Sequence, residues 1–141
     1  MKRTLFITRV AMGWVMLYAG LTKVLDPNWS AAGYLGNAKT FEGFFNWFLK
    51  PEILPVTNFM NEWGLTFLGV SLILGACVKY SGMLGALLML LYYFPVLDFP
   101  KIGANSYIID DHIIYALVLL YFSFVRAGNY MGFDGWWKSR K

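Results

Sequence analysis

The sequence predicts an all-α integral membrane protein: a bundle of four transmembrane helices forming one domain over residues 1–141, with a short interfacial helix in the first outer loop. Three observations predict it. First, 58% of the residues are hydrophobic and 14% are charged, whereas about 25% charged is usual in a soluble domain. Second, twelve Phe, nine Tyr and six Trp are more than a soluble core of this length hides, but a bilayer accepts them on lipid-facing and interfacial surfaces. Third, four segments approach the roughly 20 apolar residues needed to cross a hydrocarbon core of about 30 Å.

The first segment, Thr4 to Leu25, opens like a secretory signal. Arg9 interrupts it and no small-residue cleavage pattern follows, so it is expected to remain as a helix. The second, Pro55 to Val78, begins with a proline, which suits a first helical turn where the amide hydrogen has no partner. Tyr80 to Leu97 is free of charge, and the short joint at Lys79 makes it an antiparallel hairpin with the second. The fourth, Tyr107 to Val125, reaches full length only with Asp110, Asp111 and His112 counted inside it, as the first does with Arg9 and Lys23.

Between the first two spans lies the long connection, where Phe41, Phe44, Phe45 and Phe48 recur at helical spacing with Trp47 beside them. That stripe predicts the short interfacial helix over Thr40 to Leu49. A lid over a binding site is the alternative. After the fourth span, Tyr130, Trp136 and Trp137 lie among basic residues and predict another interfacial cap. There is no convincing internal repeat.

Lys2, Arg3, Arg9, Lys79, Arg126, Lys138, Arg140 and Lys141 fall at one end of this arrangement, and Lys23, Lys39, Lys50 and Lys101 at the other. The excess of positive charge places the first end, with both termini, in the cytoplasm, and the protein in the plasma membrane as a multi-pass chain. The net charge of +4 serves topology: the basic residues form no face of a soluble domain, so no nucleic-acid partner is expected.

On the first span, Arg9, Gly13, Met16, Gly20 and Lys23 share one side, which is expected to face the bundle. The glycines would let a neighbouring helix approach, with Ser71 and Gly75 or Gly82 and Ala86 as matching small positions. Antiparallel topology collects Lys23, Glu62, Asp110, Asp111 and His112 at the outer end. Ionisable groups at membrane depth face the interior or a wet cavity and commonly pair, so Lys23 is expected to pair with Glu62 or Asp111. Successive helical residues diverge by about 100°, so Asp110, Asp111 and His112 cannot all face one cavity. Asp111 shares a side with Tyr107 and Tyr115, whose hydroxyls are placed to orient a carboxylate. Asn58, Glu62, Thr66 and Gly69 form a comparable line on the second span.

An aromatic-walled pocket with these few polar groups suits a small ligand. A quinone head fits, because its reduction needs protons that Asp111, Glu62 or His112 would relay. The alternative is that the charges only hold the helices together. Cys77 is the one cysteine, which excludes an intrachain disulfide and a CxxC redox pair. One histidine excludes bis-histidine haem within the chain, and adjacent Asp and His make a poor metal site, so no metal is expected.

Four stretches carry a family resemblance: Arg9 to Leu35, Phe59 to Gly75, Gly85 to Pro95, and Tyr107 to Leu120 (YIIDDHIIYALVLL). Together they make the chain similar to the DoxX family of small four-span membrane proteins, related to the DoxD subunit of thiosulfate:quinone oxidoreductase. The resemblance implies a four-helix membrane fold and, in some members, sulfur-compound oxidation, quinone reduction or partner redox proteins. Its shared positions would be Gly13, Trp14, Tyr18, Gly20, Lys23, Asn61, Glu62, Gly64, Asp111 and His112. The resulting expectation is a membrane subunit of a redox assembly. In it Glu62, Asp111 and His112 carry protons, while Lys23, Trp14, Tyr18, Asn61 and Tyr115 hold the ligand. A quinone is the candidate cofactor, and the candidate partners are the bilayer, a redox subunit and further copies of the chain. The rival is a non-catalytic membrane anchor or assembly scaffold; a transporter is disfavoured by the lack of repeats.

Overall fold

A computed structural model describes residues 1–102 and 106–140; Lys141, assigned above to the basic end, lies outside them. Four long helices dominate: α1 (Lys2–Val24), α4 (Leu54–Leu74), α5 (Val78–Val96) and α6 (Asp111–Phe124). The long connection carries two short helices, α2 (Ala32–Leu35) and α3 (Glu42–Trp47), and the chain closes with a 3-10 turn at Ala127–Asn129 and α7 (Phe133–Lys138).

The buried face of α1 consists of Arg9, Met12, Gly13, Met16 and Gly20, the side singled out by spacing. It lies against α4 in antiparallel sense. An added Cβ on Gly13 would stand 3.0 Å from Gly69 O, and Gly20 and Gly69 are equally crowded by Thr66 and by Leu17. The partners of the α1 glycines are therefore Thr66, Gly69 and Ile73 rather than Ser71 and Gly75. Gly82 serves α5 in the same way against α6, where a Cβ would stand 2.7 Å from Leu119 O. Gly75 instead ends α4 with φ of 68°, a left-handed conformation suited to glycine.

These glycine contacts divide the molecule into two tight pairs, α1 with α4 and α5 with α6, while α4 and α5 touch far less. The short joint thus makes α4 and α5 antiparallel without packing them closely. Ser71 Oγ and Ser81 Oγ, 2.6 Å apart, tie the two helices near the joint. Away from it an open groove separates them.

The fourth helix begins later than expected. Asp110 caps it, its Oδ1 accepting from Ile113 N at 3.2 Å, so the helix starts at Asp111. Ser106–Tyr107 instead belongs to a three-stranded antiparallel sheet with Leu97–Asp98 and Lys101–Ile102, an element not anticipated. Tyr107 therefore precedes the helix and shares no helical face with Asp111.

Among the described helices, α1 alone is long and apolar enough to cross a membrane by length and composition, with a mean hydropathy of 1.4, and α6 is a shorter apolar helix. The physical reasons are local. The first half of α4 holds Asn58, Asn61 and Glu62. α5 is long enough at 19 residues, about 28 Å, but Lys79, Tyr80, Tyr92, Tyr93 and Pro95 dilute its apolar character.

The expected helix over Thr40 to Leu49 forms as Glu42–Trp47, but it does not lie free. Phe45 is buried with Ala31, Leu35 and Ala38 in a second small core, packed against Leu91 and Phe94 of α5. Phe41, Phe44 and Trp47 stay exposed. The connection is also anchored to α4, because Asn58 Oδ1 accepts from Ala31 N at 2.9 Å.

Candidate functional site

The groove between α4 and α5 encloses a cavity of about 920 Å³, within the range of small-molecule sites. Its walls are apolar for most of its length, from Leu68, Leu84 and Leu88 down to Cys77 and Ser81 near the helix joint. Exposed Met60, Phe67, Leu84 and Leu87 form its rim, so it opens sideways. At the opposite end the connection roofs it with Trp29, Tyr34, Phe45 and Trp47. The Phe-rich helix therefore occupies the position of a lid.

The ionisable side chains Lys23, Tyr34, Tyr92 and His112 gather under that roof, where Ser30 and Asn61 also line the cavity. Lys23 Nζ donates to Ala19 O at 2.9 Å and stands 5.5 Å from the Trp29 ring centre. It pairs with neither Glu62 nor Asp111; among the described residues Lys39 makes an ion pair with Asp98, and His112 contacts Asp110. The expected pairing fails because both carboxylates lie outside the cavity lining. Asp111 is exposed in the first turn of α6, and Glu62 is half-buried on α4. Asn61 is buried and donates to Thr57 O at 2.7 Å.

His112 Nδ1 lies 2.6 Å from Asp110 Oδ2, and the side chain of Asp110 is only 10% exposed. One residue thus caps the helix with one oxygen and orients the imidazole with the other, leaving Nε2 as the other proton-exchanging position. The His112 ring stands 5.8 Å from that of Tyr92. The Tyr92 hydroxyl is buried and has no hydrogen-bond partner among the described residues, although a buried tyrosine hydroxyl usually finds one.

Tyr34 sits on α2 with its hydroxyl donating to the backbone carbonyl of Tyr92. Burial, and then the negative charge of Asp110, push its ionisation up to about 12 from the usual value near 10. The folded state favours neutral Tyr34, so this contribution to stability is complete below about pH 10 and disappears as the pH rises through about 12. Difference titration of tyrosinate absorbance between wild type and Tyr34→Phe is expected to show one late-titrating tyrosine.

Of the residues named from sequence, Lys23, Asn61 and His112 meet in the cavity. Trp14 and Tyr18 are 62% and 63% exposed on α1, on the side turned away from α4, and Tyr115 packs against the main core. Sequence reasoning missed Tyr34 and Tyr92 and gave Asp111 the place that Asp110 holds. An available signal was Asp110 itself, a good N-cap residue before an apolar run with a histidine two positions on.

The DoxX family model matches residues 4–97. The chain belongs to the DoxX family. The match covers α1 through α5, including Lys23, Asn61 and Tyr92, and ends before α6, so it does not reach the full extent of the sequence resemblance. His112 and its carboxylate stand on the geometry above. No curated protein and no solved structure matches the chain. As a DoxX protein it is a membrane protein.

Proposed function

We propose that this DoxX protein is the quinone-binding membrane subunit of a redox assembly, with α1, α4, α5 and α6 all crossing the bilayer and both termini cytoplasmic. The observation that carries the reading is the combination of a long apolar groove, open along its side, with an unpartnered buried Tyr92 hydroxyl at the end lined by Lys23, Asn61 and His112; in this reading the open side faces lipid. An amphiphile would fill both parts, its head under the roof and its hydrocarbon tail along α4 and α5. Tyr92 and Asn61 would orient the head, and Lys23 would stabilise negative charge developing on a quinone oxygen. His112, oriented by Asp110, would pass protons to that oxygen while electrons arrive from a partner subunit. Glu62 and Asp111, outside the cavity lining, have no contact with the head in this reading.

Replacing Tyr92 with Phe separates this function from a scaffold. An unsatisfied buried hydroxyl costs about 1–3 kcal/mol, so Tyr92→Phe is expected to leave the ligand-free protein as stable as wild type or more so. Its affinity for a decyl-tailed benzoquinone, measured by titration in detergent, should fall about tenfold. Unchanged affinity would remove Tyr92 from the head site.

A further inference from the structure

The end of the molecule remote from the cavity's roof carries a basic surface that, among the described residues, has no acidic side-chain partners. Lys2 and Arg3 open α1, Lys79 lies in the first turn of α5, Arg126 follows α6, and Lys138 and Arg140 lie at the end of α7 and just beyond it; all six are exposed. The fold brings them to one end. Arg9 donates to the carbonyls of Ala127, Tyr130 and Met131, and Asp134 Oδ1 and Oδ2 accept from Cys77 N and Val78 N at 2.7 and 3.0 Å.

Asp134 is the sole acidic residue in these segments. Its carboxylate is committed to those two amides and makes no ion pair. Three of the six cations lie over aromatic rings instead. Arg140 is 4.0 Å from the Trp136 ring centre, Lys79 is 5.5 Å from that of Tyr80, and Lys2 is 5.8 Å from that of Tyr130. Phe133, Trp136 and Trp137 are exposed beside them. The Lys23 end differs, since Lys39 there is paired with Asp98 at 2.8 Å.

Unneutralised cations interleaved with exposed aromatics match the level of lipid headgroups, where rings insert and phosphates offer negative charge. We propose that this surface selectively binds anionic phospholipid headgroups, with Lys138 and Arg140 beside Trp136 as its centre. The inference is independent of the groove and of its ligand.

The test uses the full chain purified in mild detergent and equilibrated with phosphatidylglycerol or phosphatidylcholine, with bound lipid counted by native mass spectrometry. Wild type should retain phosphatidylglycerol in clear preference to phosphatidylcholine. A charge near an anionic surface contributes about 1 kcal/mol, roughly fivefold each, so Lys138→Gln with Arg140→Gln should reduce that preference about 25-fold. Lys50→Gln with Lys101→Gln, at the opposite end, should leave it unchanged. Equal retention by the first pair and wild type, an equal loss in the second pair, or displacement of the lipid by inorganic phosphate at millimolar concentration would each overturn the proposal. Arg140→Lys, which keeps the charge, should retain most of the preference.

Discussion

Replacing Arg9 with Met is expected to destabilise the protein by about 1–3 kcal/mol for each buried carbonyl left without a donor. Arg9 is 0% exposed. Its Nη1 donates to Ala127 O at 2.6 Å and Tyr130 O at 3.1 Å, and its Nη2 donates to Met131 O at 3.2 Å. All three acceptors lie in the turn after α6, so one side chain of α1 holds the C-terminal strap in place. Methionine would fill part of the volume and satisfy none of the carbonyls. The surroundings leave no slack: a Cβ on Gly132 would stand 2.8 Å from Nη1, and one on Gly75 would stand 2.7 Å from it. Arg9→Lys should recover only part of the loss, because an ammonium lacks the planar fork that reaches several acceptors at fixed angles. Thermal unfolding in detergent reports the stability. Limited trypsin digestion at Arg126 and Lys138 reports release of the strap, and unchanged digestion in Arg9→Met would contradict this role.

A second substitution, Gly64→Leu, should stabilise the protein and abolish its ligand site. Gly64 lines the cavity from within α4, and a Cβ there would meet only Leu88 Cδ2, at 3.9 Å. The Cβ therefore fits, and the rest of a leucine side chain would extend into the groove. Within a helix, replacing Gly by a good helix former gains about 0.8–1 kcal/mol, so the unfolding temperature should rise. Affinity for a decyl-tailed benzoquinone should fall by tenfold or more, equivalent to at least about 1.4 kcal/mol. Gain of stability with loss of binding separates a blocked site from a damaged fold. A pure scaffold would gain stability and lose nothing.

Much of the helical framework is legible in the sequence because burial in a helix follows spacing. Arg9, Gly13, Met16 and Gly20 share a side, and that side is buried. Convergence at the Lys23 end follows from antiparallel order, which brings Lys23, Asn61 and His112 to one cavity. The groove is less legible. Sequence adjacency couples α4 with α5, yet close packing is decided by which glycines face which neighbours, and Gly13, Gly20 and Gly82 favour other partners. Reading the fourth helix back to Tyr107 favours Asp111 over Asp110. A single capping bond to Ile113 N ends that extension and turns Asp110 toward His112. Tyr92 lies in an apolar run where nothing distinguishes an orphan hydroxyl from a bonded one, since that distinction depends on three-dimensional neighbours.

The most direct test of the account is native mass spectrometry of the wild-type chain and Gly64→Leu, extracted from the same membranes in mild detergent and exposed to the decyl-tailed benzoquinone. The α4–α5 groove predicts one quinone retained per wild-type chain and none on the variant. Equal occupancy of the two proteins would contradict it.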